Sequence, residues 1–160
     1  MIKAWVGRLR PNFYELCGFD VQTKMCTASA HHVNEGRQSF PSGHSSLAFQ
    51  GMVLVVLCLV GRIGLFSMTV TNANNNSNKS YTGFKNLLRT KQMQTTFSII
   101  VPLSYGMFVA ASRLVDNWHH PSDILAGTMI GVGSASLAYH IFYPGVGSKY
   151  SGIPYACLVS

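Results

Sequence analysis

The chain has 160 residues, of which 48% are apolar and only 11% are charged, and its net charge at pH 7 is +7. So few charged residues exclude the surface of an ordinary soluble protein. The basic residues are dispersed and form no recognised nucleic-acid-binding motif, so we expect no nucleic-acid partner and favour a negatively charged lipid headgroup instead.

Residues 1–44 are mostly polar, and glycine and proline residues break regular structure repeatedly. We therefore expect loops and short helices in this region. Cys17 and Cys26 could form a disulfide bond if the region faces an oxidising compartment. Lys3 has almost nothing before it to surround a site, so we expect the chain to be a fragment that lacks earlier helices.

Three apolar segments of helical length follow the polar region. Each is about long enough to cross roughly 30 Å of hydrocarbon, and none has the polar stripe of a helix from a soluble core. We predict an all-α integral membrane bundle, with residues 1–143 as one domain. Its membrane helices are predicted at residues 44–66, 95–111 and 122–143, with an Asn-rich connector at 67–92 and a tail at 144–160.

The number of crossings decides which loops share a face of the membrane. The first helix leaves the face that carries residues 1–44 and the second returns, so residues 112–123 lie on that same face. Residues 61–92 hold five cations and no acid, which favours the cytosol. We therefore expect the motif face to be lumenal or extracellular, in an endomembrane or the plasma membrane. A glycan at the sequons of Asn75 or Asn78 would contradict this orientation.

Cations and a helix start on this face suit a phosphate group. Arg10 and Arg113 can each donate paired hydrogen bonds to phosphate oxygens, and Lys3 adds a third charge. The segment Pro41-Ser42-Gly43-His44 directly precedes a helix, so its backbone N–H groups can point at the same anion. Gly43 also permits a close backbone approach. The predicted phosphate-binding set is Lys3, Arg10, Ser42, Gly43 and Arg113.

Two histidines and one aspartate supply the remaining chemistry. His119 and Asp123 are four residues apart at the start of the third helix, so the carboxylate can face the imidazole. That contact would fix the proton on one ring nitrogen and leave the other as nucleophile. His44 could then protonate the leaving alkoxide and later activate water. His120, three residues from Asp123, is a rival that spacing disfavours only modestly.

Metal catalysis is not expected. The chain has five acidic residues, and they are scattered, whereas a Mg²⁺ or two-metal site gathers several carboxylates. Cysteine and histidine do not recur at the spacing of a zinc site. We predict no metal and no cofactor.

The three motifs together resemble the signature of the type 2 phosphatidic acid phosphatase (PAP2) superfamily. They are Lys3-x6-Arg10-Pro11, Pro41-Ser42-Gly43-His44 and Ser112-Arg113-x5-His119-x3-Asp123. The stretches GRLRPNFYELCG and NEGRQSFPSGHSS look most like eukaryotic lipid phosphate and diacylglycerol pyrophosphate phosphatases, and the match covers about residues 3–143.

The resemblance implies a helical membrane core and Mg²⁺-independent hydrolysis of phosphatidate-like monoesters, or of the related pyrophosphate, through a phosphohistidine. It implies that His119 is the nucleophile, Asp123 its orienting partner and His44 the acid and base, with the five residues of the phosphate-binding set around them. Members usually have six membrane helices, and this chain departs from that pattern by lacking the first three.

Two other interpretations stay open. A vanadium haloperoxidase holds vanadate in a similar constellation, although those enzymes are typically soluble and the apolar helices argue against one. An inactive fragment or scaffold of the same fold would explain the missing helices but not the intact His44, Arg113, His119 and Asp123. The sequence predicts no oligomeric state and no acyl-chain preference.

Overall fold

The computed structural model describes residues 2–63, 78–148 and 150–158. Their fold is helical, as predicted, apart from one hairpin of two very short strands. The elements in chain order are α1 (Ile2–Val6), α2 (Phe13–Leu16), β1 (Phe19–Asp20), β2 (Met25–Cys26), α3 (Ala30–Gly36), α4 (Gly43–Ile63), α5 (Asn78–Val115), α6 (Pro121–Phe142) and a 3₁₀ turn (Tyr155–Cys157).

Three helical segments are long and apolar enough to cross a membrane. They are Gly43–Ile63, Arg89–Val115 and Pro121–Phe142. At 1.5 Å per residue each exceeds about 30 Å, the thickness of the hydrocarbon core. Large apolar side chains on them are exposed, among them Phe97, Phe108 and Leu137, as expected of helices surrounded by lipid. The prediction of a helical membrane protein with three spanning segments is confirmed.

Helix α5 is longer than the sequence predicted. The prediction placed the helix at 95–111 after a connector at 67–92, but α5 already begins at Asn78. Leu, Lys, Arg, Gln and Met are frequent between residues 85 and 93, and these are strong helix formers. The apolar pattern therefore located only the membrane-crossing part. Residues 67–77 of the predicted connector, including the sequon at Asn75, lie outside the described residues.

Helix α6 begins with its own capping contact. Pro121 occupies the first helical position, where its missing N–H costs nothing. Asp123, two residues further, accepts the backbone N–H of His120 at 3.0 Å, which is half of a capping box. The helix start therefore fixes where the Asp123 carboxylate lies.

The residues group into two compact units. The first contains Met1–Gln50 and Gly106–Gly133, and the second contains Gly51–Tyr105 and Ser134–Ser160. Phe49, Ala110 and Ile124 form the buried apolar cluster of the first unit. Every predicted site residue belongs to this first unit.

Within the second unit the predicted tail packs against two helices. Tyr139 Oη donates a hydrogen bond to the backbone carbonyl of Ser151 at 2.9 Å. Ser151 Oγ in turn donates to the carbonyl of Gly61 at 3.0 Å. The tail therefore satisfies polar groups at this end of the unit.

Close contact between α4 and α6 in the first unit depends on two glycines. A Cβ on Gly127 would collide with the backbone carbonyl oxygen of Ser42, and one on Gly131 would collide with that of Ser46. Small residues at this four-residue spacing let membrane helices approach closely. Gly127-x3-Gly131 therefore has a packing role.

A disulfide bond crosslinks the chain within the polar region. Cys17 and Cys26 are bonded, and the β1–β2 hairpin between them pairs Phe19 with Cys26. Gly18 has a φ of +58° at the turn into this hairpin, a conformation that glycine adopts without steric cost. The bond that the sequence left open is present in the structure.

Candidate active site

Backbone hydrogen bonds bring the three motif segments together, as the count of crossings predicted. One bond joins the second motif to the third, and others tie the first motif to the segments beside it. These bonds are Ser42 N–H to Asp123 O at 2.9 Å, Arg10 N–H to Gly36 O at 2.8 Å, Ser39 N–H to Arg8 O at 3.0 Å and Asn12 N–H to Asn117 O at 3.2 Å.

Arg10 presents unused donors inside the site. Its side chain is only 7% exposed, and its Nε and Nη1 atoms are buried without an acceptor among the described residues. Its guanidinium lies 4.6 Å from the ring centroid of Trp118, and Nη2 is 3.8 Å from a Glu35 oxygen. Buried donors without acceptors are costly, so this arginine is suited to an anion.

Lys3 and the start of α4 extend the same anion site. Lys3 Nζ lies 3.6 Å from the position that a Cβ on Gly43 would occupy. Burial and then the charge of Arg10 lower the pKa of Lys3, and burial lowers the pKa of Arg10. The backbone N–H groups of Gly43 and His44 are in the first turn of α4, where no preceding helical turn supplies an acceptor. Such groups bind anions readily.

Ser42 acts as the cap of α4. It is fully buried, and its Oγ accepts hydrogen bonds from Ser45 N–H at 3.4 Å and Ser45 Oγ at 3.0 Å. Its own N–H is used by the Asp123 carbonyl. The prediction that the Ser42 N–H also points at the anion was wrong, because that N–H joins two motifs instead.

Arg113 completes the set of cations. It forms an ion pair with Asp116 at 3.2 Å, a partner that the sequence analysis did not assign. The positive charges of Arg113, Lys3 and Arg10 are close enough to interact electrostatically with His44. Those of Lys3 and Arg10 also interact with His119. The two histidines therefore share one group of cations.

The Asp123 carboxylate is fully buried and has several partners. Oδ1 accepts from Arg8 Nη1 at 2.6 Å, and Oδ2 accepts from Ser39 Oγ at 2.5 Å. His119 Nδ1 lies 3.9 Å from Oδ2, close enough for electrostatic attraction but too far for a hydrogen bond. Sequence analysis missed Arg8 and Ser39; their only signal is that they stand within or beside the first two motifs.

The structure separates His119 from its rival, His120. His119 is 2% exposed and faces Ser39 and Asp123. The His120 ring instead has its Nε2 atom 3.1 Å from the Leu9 carbonyl oxygen. Only His119 combines burial with both neighbours, so the geometry favours it as nucleophile.

The environment of His119 keeps its ring neutral. Burial, followed by the charges of Lys3 and Arg10, lowers the pKa of His119 to about 4, against smaller opposing effects of a hydrogen bond to the Ser39 backbone and of the Asp123 charge. A nucleophilic histidine needs an unshared pair on one ring nitrogen. At neutral pH His119 meets that requirement.

This pKa predicts a loss of stability in mild acid. Below pH 6.5 the unfolded chain takes up a proton on His119 that the folded chain refuses until about pH 4, so stability falls as the pH decreases through this window. Lowering the pH from 7 to 4.5 should reduce the free energy of unfolding by about 2.5 kcal/mol on this account. The thermal unfolding midpoint, measured at both pH values, should decrease less in His119→Gln; equal decreases would contradict the assignment.

No group of three or more histidine, cysteine or acidic side chains is placed to hold a metal ion in the described part of the chain. Three cationic side chains lie near the two histidines instead. Fold and site together define an integral membrane protein in which a buried histidine lies near the charges of Lys3 and Arg10. The chain belongs to the PAP2 superfamily, whose family model matches residues 1–145.

Named relatives agree with this membership. Lipid phosphate phosphatase 1 of Arabidopsis thaliana is 34% identical, over 97% of this chain and 43% of the relative. Probable lipid phosphate phosphatase 4 of the same plant is 31% identical, over 89% and 42%. Diacylglycerol pyrophosphate phosphatase 1 of Saccharomyces cerevisiae is 29% identical, over 89% and 46%. The chain thus spans less than half the length of these relatives. No solved structure is significantly similar to it.

Proposed function

We propose that the chain carries the active site of a membrane lipid phosphate phosphatase. Its substrates are phosphatidate-like phosphomonoesters, which it hydrolyses to diacylglycerol and phosphate, and diacylglycerol pyrophosphate is a second candidate. The observation that carries the proposal is the buried guanidinium of Arg10. Two of its nitrogen atoms have no acceptor among the described residues, and its charge helps to lower the pKa of His119. The names of the relatives support the substrate class.

Binding of the phosphate group would use the cations and the helix start together. Lys3, Arg10 and Arg113 neutralise charge on the phosphate oxygens, and the N–H groups of Gly43 and His44 donate hydrogen bonds to them. Phosphoryl transfer depends mostly on such positioning and electrostatic stabilisation. The Ser42 hydroxyl is held at the same helix start.

The chemistry proceeds in two displacements. The lone pair of His119 Nε2 attacks phosphorus, the bond from phosphorus to the lipid oxygen breaks, and His44 gives that oxygen a proton. Water then attacks the phosphohistidine, His44 takes a proton from the water, and the P–N bond breaks. Phosphate leaves and both histidines return to their starting states.

We also propose that the site faces the lumen or the cell exterior, in an endomembrane or the plasma membrane. The Cys17–Cys26 disulfide supports this orientation, because disulfides persist in oxidising compartments. The disulfide lies in the same polar region as the first two motifs. The glycan test at Asn75 and Asn78 bears on this proposal directly.

The function is tested by measuring phosphate release from phosphatidate in detergent micelles with excess EDTA. We expect EDTA-resistant release and a labelled phosphoenzyme that is labile to acid and stable to base. Lys3→Met should lower kcat/KM about 10- to 100-fold, as the loss of a charge-assisted contact predicts. Lys24→Met, which removes an exposed lysine from the hairpin, is the matched control and should leave kcat/KM unchanged.

Three outcomes would contradict the proposal. Release that stops in EDTA and returns with Mg²⁺ would indicate a metal mechanism. Vanadate-dependent oxidation of halide without phosphatase activity would indicate the haloperoxidase alternative. No release from folded protein would indicate an inactive fragment or scaffold.

A further inference from the structure

Ser39 lies between the carboxylate and the imidazole of the site. It is fully buried, and its Oγ is 2.5 Å from Asp123 Oδ2 and 3.5 Å from His119 Nδ1. The direct distance from His119 Nδ1 to Asp123 Oδ2 is 3.9 Å. That distance is too long for a hydrogen bond, so the hydrogen-bonding path between the two side chains runs through the Ser39 hydroxyl.

The direction of these contacts follows from the groups involved. An ionised carboxylate only accepts, so Ser39 must donate its one hydroxyl proton to Asp123. Ser39 Oγ can then only accept from His119, which requires the ring proton to be on Nδ1. The lone pair is left on Nε2, the nitrogen that must attack phosphorus.

The Asp123 carboxylate is not free to turn toward His119 instead. Arg8 holds Oδ1 at 2.6 Å, and the backbone N–H of His120 holds Oδ2 at 3.0 Å. A direct bond from Asp123 to the imidazole would require these contacts to change. The intervening hydroxyl makes that change unnecessary.

We propose that Ser39 is a positioning residue, through whose hydroxyl Asp123 keeps the imidazole of His119 in a fixed orientation. This inference rests on the proposed function. As Nε2 bonds to phosphorus, positive charge develops on the ring, and the hydrogen bond from Nδ1–H to Ser39 Oγ shortens and strengthens. The proton stays on Nδ1, and the Ser39 proton stays on Oγ.

A double-mutant cycle tests the inference. Ser39→Ala should lower kcat for phosphatidate about 10- to 100-fold, with KM within about threefold, as expected for an orienting contact. Asp123→Asn should lower kcat at least as much. If Asp123 acts through Ser39, the double variant should be within about twofold of Asp123→Asn alone, because the two changes interrupt one path.

A spectroscopic measurement supplies an independent readout. In ¹⁵N NMR of the protein in micelles, His119 should be protonated on Nδ1, and Ser39→Ala should shift the Nδ1–H resonance, although the hydrogen bond between His119 and the Ser39 backbone remains in this variant. Ser151→Ala also removes a buried hydroxyl, the one that donates to Gly61, but in the other unit. This control should change neither kcat nor the His119 signal.

Multiplicative losses in the double variant, or an unchanged Nδ1–H resonance of His119 in Ser39→Ala, would overturn the role of the Ser39 hydroxyl. Failure of the proposed function is distinguishable from either result. In that case the unmodified protein releases no phosphate, or His119→Ala retains the activity. An active protein that needs His119 but is indifferent to Ser39 would refute only this inference.

Discussion

Replacement of His119 by alanine is expected to lower kcat/KM for phosphatidate at least about a thousandfold, whereas replacement of the adjacent His120 leaves it within about fivefold. On the proposed mechanism the first change removes the nucleophile, and loss of a nucleophile costs far more than loss of one binding contact. The second removes a ring whose Nε2 atom lies 3.1 Å from the Leu9 carbonyl oxygen.

These two variants are matched in residue type and position, which makes the comparison informative. Phosphate release and formation of the labelled phosphoenzyme are measured for both at equal amounts of folded protein. The label should be absent from His119→Ala and present in His120→Ala. The opposite pattern would make His120 the nucleophile and would show that the contacts of Ser39 with His119 serve another purpose.

Replacement of Gly127 by alanine should lower both stability and activity. A Cβ there would overlap the Ser42 carbonyl oxygen, which is backbone and cannot rotate away, so α6 must move relative to α4. Overpacking of this kind costs about 1–3 kcal/mol. The displaced residues carry the site, because Ser42 caps α4 and its N–H bonds to Asp123. We expect at least a tenfold loss of kcat/KM and a lower unfolding midpoint.

Gly133, on the same helix, is the control for this prediction. No described atom lies within 4 Å of the position that its Cβ would occupy. Gly133→Ala should therefore show only the gain in helix propensity, up to about 1 kcal/mol, with unchanged activity. Equal effects of the two substitutions, measured by thermal unfolding and phosphate release, would mean that the contact between α4 and α6 is not the cause.

The membrane helices and the convergence of the motifs were predictable because both depend on local features of the sequence. Apolar runs locate spanning segments, and an even number of crossings between two motifs returns them to one face. The pattern did not give the amino-terminal part of α5. Residues 78–94 contain no continuous apolar run, so hydropathy alone placed the start of the helix too late in the chain.

The partners of Asp123 could not be predicted, because spacing reports only neighbours in the same helix. Ser39 and Arg8 stand 84 and 115 residues from Asp123 in the chain. Nothing in a serine or an extra arginine near a motif specifies such a contact before the fold is known. The spacing of His119 and Asp123 correctly indicated proximity, but the structure inserts a hydroxyl between them.

Arg10 has a thermodynamic consequence beyond binding. Folding buries its guanidinium while leaving two nitrogen atoms without acceptors among the described residues, so the protein alone bears a desolvation penalty that an occupied pocket does not. An anion that fits the pocket relieves this penalty, and the folded state gains stability in proportion to that relief. Inorganic phosphate carries the same oxygens as the lipid headgroup and relieves it too. On the proposed function, the group that binds the phosphate of the substrate would therefore also bind the phosphate product.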